Sequence, residues 1–422
     1  MKYGINTLDD LELAGRTVLC RVDINSPLDP SGGGLADTTR IRGCAPTVAE
    51  LADSGARVVL LAHQGGDLEY HNYASTEPHA AVLSELIGRP VGFIDDVCGP
   101  AGREAVLGLR DGEVLLLDNV RYCGEELTLF ETKLNLPPAE QCKTLIVRKL
   151  APLGELYVCD AFAAAHRSQP TLVGFEQLLP SAMGRLFERE YENLARLRSQ
   201  PARPSVFLLG GTKIQEAFPM MAAALRDGTV DTVLTAGLVA NVMLVASGIE
   251  IGEPSLEFLR QSQLEPYIAE SQTILAEHGE KIVLPTDLAV VAGGARHEVA
   301  VTDLPAAEQI VDIGAATAAD YAARIAACGT VFANGPAGVF ERPETELGTK
   351  VLWQAMADTP GFSAVGGGDS VRAVNRFGLA ERFDYVCTAG GAMVQFLSGK
   401  PMPVIEALQE SAARFAGSGV ER

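Results

Sequence analysis

Two groups of residues in this 422-residue chain have the types and spacing to handle anions. The first is a set of glycine loops with a lysine or an acid beside them. In PSVFLLGGTKIQEA an apolar run at 206–209 ends in Gly210 and Gly211, and Lys213 follows. The run is short and β-rich, so it reads as a buried strand. The glycines let a ligand or another backbone come close. A helix starting near Ile214 aims its free N–H groups at the same spot. This is an anion site, and it is equally the pattern of a tight strand-to-helix turn with a surface lysine. The Walker order Gly-x-x-x-x-Gly-Lys-Ser/Thr is absent. ANGPAGVFE, VGGGDS and TAGGA are further loops of this kind. Asp369 follows Gly366, Gly367 and Gly368 and precedes Ser370. A carboxylate there suits Mg²⁺ beside substrate phosphates, or caps a helix. Glu341 closes the loop that begins at Phe332, placed to receive a ribose hydroxyl.

The second group is cationic. In RVDINSPLD, Arg21, Asp23 and Asn25 alternate, so a strand puts all three on one face. Arg40 lies on a helix expected over 37–54. A strand at 57–62 delivers His63-Gln64-Gly65-Gly66-Asp67, one at 114–117 leads to Arg121, and one at 156–159 leads to His166 and Arg167. Strand ends are where open α/β sheets place their ligands. The chain has 34 basic and 54 acidic residues, a formal charge of −20, so Arg21, Arg40, His63, Arg121 and Arg167 at equivalent places point to a pocket for a carboxylate or phosphate.

The elements that must position these groups alternate. Strands at 17–22, 57–62, 91–94, 114–117 and 156–159 are separated by helices, including one with Pro46 inside that should bend it. That rhythm predicts a mainly parallel sheet covered on both faces. Residues 182–199 read as one long charged helix ended by Pro201 and Pro204, a natural connector. The rhythm then resumes, with strands at 206–209, 232–235, 281–284, 330–333, 362–365 and 385–387. A reaction between ligands on the two halves needs closure to exclude water.

Composition excludes several classes. A hydrophobic content of 47% supports large cores rather than disorder. The charge of −20 argues against nonspecific nucleic-acid binding. The eight cysteines show no zinc or redox spacing, and Cys20, Cys159 and Cys387 are expected as buried thiols. MKYGINTLDD holds no signal-peptide core, and no apolar stretch reaches the roughly 18 residues of a membrane span. A soluble, cytoplasmic protein is expected, with neither nucleic acid nor membrane as partner.

With those residues in hand, the chain resembles the phosphoglycerate kinase family from end to end. RVDINSPLD, DTTRIRGCAPT, LLDNVRY, VCDAFAAAHR, LLGGTKI, ANGPAGVFE, GTK at 348–350, VGGGDS and TAGGA carry the likeness, in order. The resemblance implies an α/β fold of two Rossmann-like three-layer α/β/α domains with mainly parallel sheets, joined by a helical hinge. The implied division is an acid-substrate domain at 1–181, a helix and linker at 182–203, a nucleotide domain at 204–395, and a returning segment at 396–422. It implies a usually monomeric, ATP/ADP- and Mg²⁺-dependent phosphotransferase acting on a small anionic acid.

Carried over by position, Arg21, Asp23, Asn25, Arg40, His63, Arg121 and Arg167 match the acid-substrate pocket. Gly211, Lys213, Asn334, Glu341, Gly366, Gly367, Gly368, Asp369 and Ser370 match the nucleotide side, with Asp369 at the magnesium. Arg40 and Lys213, with the backbone N–H groups of Gly367, Gly368, Gly390 and Gly391, match groups around the transferring phosphoryl.

The chain also departs from the family pattern. Gln64-Gly65-Gly66-Asp67 stands where Leu-Gly-Arg-Pro is usual, Ala163 replaces a glycine, Ser168-Gln169-Pro170-Thr171 replaces Ala-His-Ala-Ser, Ala389 replaces a glycine, and Gln395 replaces a glutamate. Ala217 stands where the family has its second lysine. Losing one well-placed donor costs about 10²–10³ in rate; Arg148, Lys149 and Arg185 are the candidate replacements. Three readings follow: an authentic phosphoglycerate kinase, a kinase of this fold acting on another acid, and a noncatalytic nucleotide- or metabolite-binding paralogue.

Overall fold

The computed structural model describes residues 1–32, 34–66 and 72–416. Asp67, and Gly33 of the early glycine turn, lie outside the described residues. The chain forms two compact units, Met1–Glu192 with the segment from Pro401 onward, and Asn193–Lys400.

The first unit is built on strands β1 (Thr17–Arg21), β2 (Arg57–Leu61), β3 (Val91–Ile94), β4 (Val114–Leu117), β5 (Leu156–Cys159) and β6 (Ser181–Met183). They form one sheet in the order β3-β4-β2-β1-β5-β6, every neighbour parallel. Its strands are continuous apolar runs because both faces are covered. Val18, Cys20, Val58 and Leu60 meet Ile41, Cys44, Val48 and Leu51 of helix Thr39–Asp53. Leu19, Val59 and Leu61 alternate with them and are just as buried. Each such side chain contributes about 1.5–3 kcal/mol on burial. The helix Pro403–Phe415 belongs to this unit: Val404 N donates to Ala165 O at 3.2 Å and Ser411 Oγ to Leu179 O at 3.2 Å.

The second unit contains β7 (Ser205–Leu209), β8 (Thr232–Thr235), β9 (Ile282–Val283), β10 (Asp287–Ala292), β11 (Ala295–Ala300), β12 (Ile310–Ile313), β13 (Thr330–Asn334), β14 (Phe362–Gly366) and β15 (Tyr385–Val386). Six of them form a parallel sheet, β15-β14-β13-β7-β8-β9. Its core includes Val206, Leu208, Leu234, Val331, Trp353 and Val365. Strands β11, β10 and β12 form a separate antiparallel sheet.

Two expectations need correction. The helix expected from 182 begins at Arg185, because Ser181–Met183 pairs as an edge strand with β5. Asp160, at the end of β5, then receives the free N–H groups of Leu186 and Phe187 at 2.9 and 3.1 Å, so the helix start is fixed from another element. The division between units falls inside this helix, after Glu192. The antiparallel sheet was not expected either; β11 is a largely polar, partly exposed hairpin strand with a weak apolar signal. Among the described residues no helix is long and apolar enough to cross a membrane.

Candidate active site

In the first unit, the order β4-β2-β1-β5 brings the carboxyl ends of four strands side by side. Arg21 ends β1 and is fully buried. Its Nη1 donates to Val22 O at 2.7 Å, its Nε to Thr171 Oγ1 at 3.0 Å, and its Nη2 lies 3.1 Å from His63 Nδ1. A guanidinium only donates, so His63 Nδ1 accepts. Burial, reinforced by the Arg21 charge, pushes the His63 pKa well below its usual value. The imidazole is therefore neutral near pH 7, with its proton on Nε2.

Asp23 is buried, and Arg40 Nη1 sits 2.5 Å from its Oδ2. Burial raises the Asp23 pKa, but the Arg40 charge, with His63 and hydrogen bonds from Arg40 and Asn25, outweighs it and the pKa ends below the ordinary range. Asn25 Oδ1 accepts from Gly65 N at 2.9 Å, and Arg121 Nη1 donates to Gly65 O, so one residue of the β2 loop holds both side chains. Gly65 has φ +82°, and a Cβ there would come within 2.3 Å of Asn72 O, so this position requires glycine. Gln64, one of the departures from the family pattern, is a buried strut: its Nε2 donates to Ser26 O at 2.9 Å and its Oε1 accepts from Ser26 N at 3.0 Å.

Arg167 is held apart from this network by Thr128 Oγ1 at 2.9 Å and Glu131 Oε2 at 3.4 Å. Glu126 was missed in the sequence. It is buried, accepts from Thr171 N and Oγ1 at 2.6 and 2.9 Å, and is pushed up to about 7 by burial. Thr171 thus connects it to Arg21.

In the second unit, the order β14-β13-β7-β8 does the same for the glycine loops. Gly210 N donates to Asn334 O at 2.9 Å and Gly211 N to Pro336 O at 2.8 Å. A Cβ on Gly335 would stand 2.1 Å from Gly210 O, so these two loops touch through backbone alone. Gly211, Lys213, Asn334, Gly367, Gly368, Asp369 and Ser370 line one recess. Lys213 is half exposed, 3.8 Å from Glu216, at the start of helix Ile214–Arg226. Asn334 is buried, and its Nδ2 has no hydrogen-bond partner within the protein, a donor left for a ligand. Ser370 Oγ accepts from Gly335 N at 2.7 Å, so its hydroxyl positions the neighbouring loop.

Asp369 is not the helix cap. Gly367 holds that position, and Asp369 lies in the first turn of Gly368–Arg376 with its Oδ1 2.5 Å from Arg372 Nη2. Gly366 allows helix Gly391–Leu397 to approach, since a Cβ would meet Met393 Sδ at 2.0 Å. Gly390 and Gly391, at the start of that helix, are not among the residues that line the recess.

The recess opens into a cavity of about 330 Å³, the two sharing Gly211, Thr212 and Asp369. Leu238, Phe258, Leu288, Ile310, Val339 and Phe340 make its apolar walls, and Glu341 and Arg372 also line it. Asn241 and Asp312 are buried there, each with Oδ1 unpartnered. Asp312 is raised to about 6 by burial, against hydrogen bonds from Gly348 N and Arg296. Asn241 and Asp312 carried no signal in the sequence, since they lie on a helix and a strand far apart in the chain. Arg372 had a signal: it is three residues after Asp369, on the same helix face.

None of the candidate replacements for the second lysine lines the recess or the cavity. Arg185 is committed to Asp9, Glu50 and Glu188 at 2.6, 2.7 and 2.9 Å. Arg148 and Lys149 are exposed on helix Leu145–Leu150.

No cluster of three or more His, Cys, Asp or Glu side chains suited to a metal occurs among the described residues. Magnesium needs no such cage, since it binds one or two carboxylates and completes its shell with substrate phosphates and water. Asp369, a partly exposed carboxylate at the mouth shared by recess and cavity, fits that requirement.

A family model described as phosphoglycerate kinase matches residues 8–400. The chain is 42% identical over 411 residues to the phosphoglycerate kinase of Methanothermobacter thermautotrophicus, covering 97% of this chain and 98% of that one. It is 39% identical over 413 residues to that of Pyrococcus horikoshii, covering 97% and 98%. The crystal structure of phosphoglycerate kinase from Pyrococcus horikoshii superposes with a TM-score of 0.86 at 39% identity, covering 97% of this chain and all of that one. The structure of the Coxiella burnetii phosphoglycerate kinase gives 0.82 at 30%, with 97% and 100% covered. With this match over almost its whole length, the chain belongs to the phosphoglycerate kinase family.

Proposed function

We propose that the chain transfers a phosphoryl group between ATP and the carboxylate of 3-phosphoglycerate, forming or consuming an acyl phosphate. One observation carries the nucleotide half of this reading: a glycine-walled recess with a free buried amide donor opens into an apolar cavity of base-and-ribose size. The acid comes from what the relatives are named for, and Arg21, Asp23, Asn25, Arg40, His63, Arg121 and Arg167 supply the matching polar chemistry.

In the forward direction a carboxylate oxygen attacks the γ-phosphorus, and the bond from that phosphorus to the β-bridging oxygen breaks. The carboxylate is already ionised, so no general base is needed. Catalysis is placement and charge neutralisation. Arg40 serves the carboxylate side. Lys213, the Asn334 amide and the backbone N–H groups of Gly367, Gly368, Gly390 and Gly391 serve the phosphoryl oxygens. Glu341 meets the ribose. Asp369 would hold magnesium, which supplies charge compensation at the phosphates. The neutral His63 donates from Nε2 to the acid without adding charge.

We take the enzyme to work as a monomer in the cytoplasm, without nucleic acid or membrane. The net charge of −20 supports the absence of a nucleic-acid partner. Size-exclusion chromatography with light scattering tests the oligomeric state.

The deciding assay is magnesium-dependent ADP formation from ATP, with 3-phosphoglycerate in one arm, a panel of other small carboxylates in others, and a no-acid control. Turnover with 3-phosphoglycerate at ordinary kinase rates, about 1–100 per second, is expected. Turnover only with another acid would transfer the assignment to that acid. Nucleotide binding with no transfer to any acid would make the chain a binding protein.

A further inference from the structure

The nucleotide recess has a charge deficit at Ala217. This residue is fully buried on helix Ile214–Arg226, so no side chain from that position reaches the phosphates. The basic side chains lining the recess and cavity are Lys213 and Arg372. Arg372 projects from the same helix face as Asp369, two-thirds exposed, with Nη2 2.5 Å from Asp369 Oδ1 and 4.0 Å from Glu341 Oε1. Its guanidinium lies 5.9 Å from the centre of the Phe340 ring, on the cavity wall.

Resting on the nucleotide reading above, we propose that Arg372 is a polyphosphate-binding residue that supplies the second cation of the nucleotide site, exchanging Asp369 for phosphate oxygens when nucleotide binds. The exchange is favourable on magnitudes. An exposed Arg–carboxylate pair is worth about fivefold at most in an equilibrium constant. A charge-assisted contact to an ion is worth about tenfold to a hundredfold, and the planar fork of arginine matches phosphate oxygens two at a time. Neutralisation of Asp369 by magnesium weakens its hold on the guanidinium, so metal and phosphate act in the same direction. The long side chain is free to pivot because its outer half is in water.

The test is calorimetric binding of ADP, with and without Mg²⁺, to the wild-type protein, Arg372→Gln and Arg372→Lys. The residue is exposed, so the variants are expected to fold, and a thermal melt checks this. Arg372→Gln should weaken metal-free ADP binding about tenfold or more, and Arg372→Lys should recover part of the loss by keeping the charge without the fork. In turnover assays the KM for MgATP should rise while that for 3-phosphoglycerate stays unchanged. Unchanged or tighter ADP binding in Arg372→Gln would overturn the proposal and leave Arg372 a surface partner of Asp369. Calorimetry needs no turnover, so a failure of the 3-phosphoglycerate assignment would show separately, as silence of the wild-type protein in the kinase assay.

Discussion

Arg21 Nη2 lies 3.1 Å from His63 Nδ1, and this contact fixes the tautomer of an imidazole that burial, reinforced by the Arg21 charge, keeps neutral. The same guanidinium holds Val22 O and Thr171 Oγ1. Lysine has one compact ammonium and cannot span these three directions. Arg21→Lys should therefore lose about 2–4 kcal/mol of stability, from buried acceptors left unpaired. It should also raise the KM for the acid, by freeing His63 to turn. Urea unfolding and steady-state kinetics check the two effects; a variant as stable as wild type would show that the network is not worth what its burial implies.

Arg40 holds the Asp23 carboxylate ionised although it is buried. Arg40→Ala should lower turnover about 10²–10³-fold, the usual cost of losing one donor to developing charge. It should also raise the Asp23 pKa, giving the pH–rate profile a new acidic limb. A neutral kinetic result would move the acid site elsewhere.

His79 is buried, its Nε2 is 3.0 Å from Gln64 Oε1, and burial holds its pKa down at about 4. The unfolded chain titrates near the ordinary 6.5. A group depressed on folding stabilises above the unfolded value and loses that contribution as pH falls toward the folded one. His79→Gln removes this proton uptake. From pH 7 down to pH 4, its unfolding free energy relative to wild type should improve by about 3 kcal/mol. Denaturant melts at several pH values read the difference directly.

Ala217→Lys tests whether the ancestral-looking lysine can be restored. Ala217 is fully buried among Ile214, Phe218 and Met221 on one helix. A lysine there overpacks the core by about 1–3 kcal/mol before its charge is counted. A lower melting temperature with no gain in turnover on 3-phosphoglycerate is expected. A clear gain would mean that the helix can turn this position toward the phosphates.

Asn241 is buried at the cavity wall, with an oxygen that no protein group satisfies. Such a group costs about 1–3 kcal/mol in the free protein. Asn241→Leu, of similar size, should raise the melting temperature while weakening ADP binding about tenfold. Differential scanning fluorimetry with and without ADP separates the two effects. Stabilisation without loss of affinity would mean that the amide does not meet the nucleotide.

Local order was largely legible in the sequence. Short β-rich runs ending in Arg21, His63, Gly210 and Asn334 identify strands and the polar residues at their ends, because side-chain periodicity and glycine placement are properties of neighbouring residues. The pattern also carried the family. What it left out depends on contacts between distant segments. Ser181–Met183 becomes a strand only beside β5, and its helix starts where Asp160 receives the free N–H groups. The β11 hairpin is held by pairing with β10. Gln64 reads as a site change in sequence but packs as a strut on Ser26. The cavity is assembled from Asn241, Asp312 and Phe340, which no local pattern connects. Residue types and spacing decided which chemistry was available. Tertiary structure decided which charges were already paired, which polar atoms were left unpartnered, and that Arg372, rather than Arg148, Lys149 or Arg185, lines the cavity of the second unit, because pairing and burial are set by the packing of elements remote in sequence.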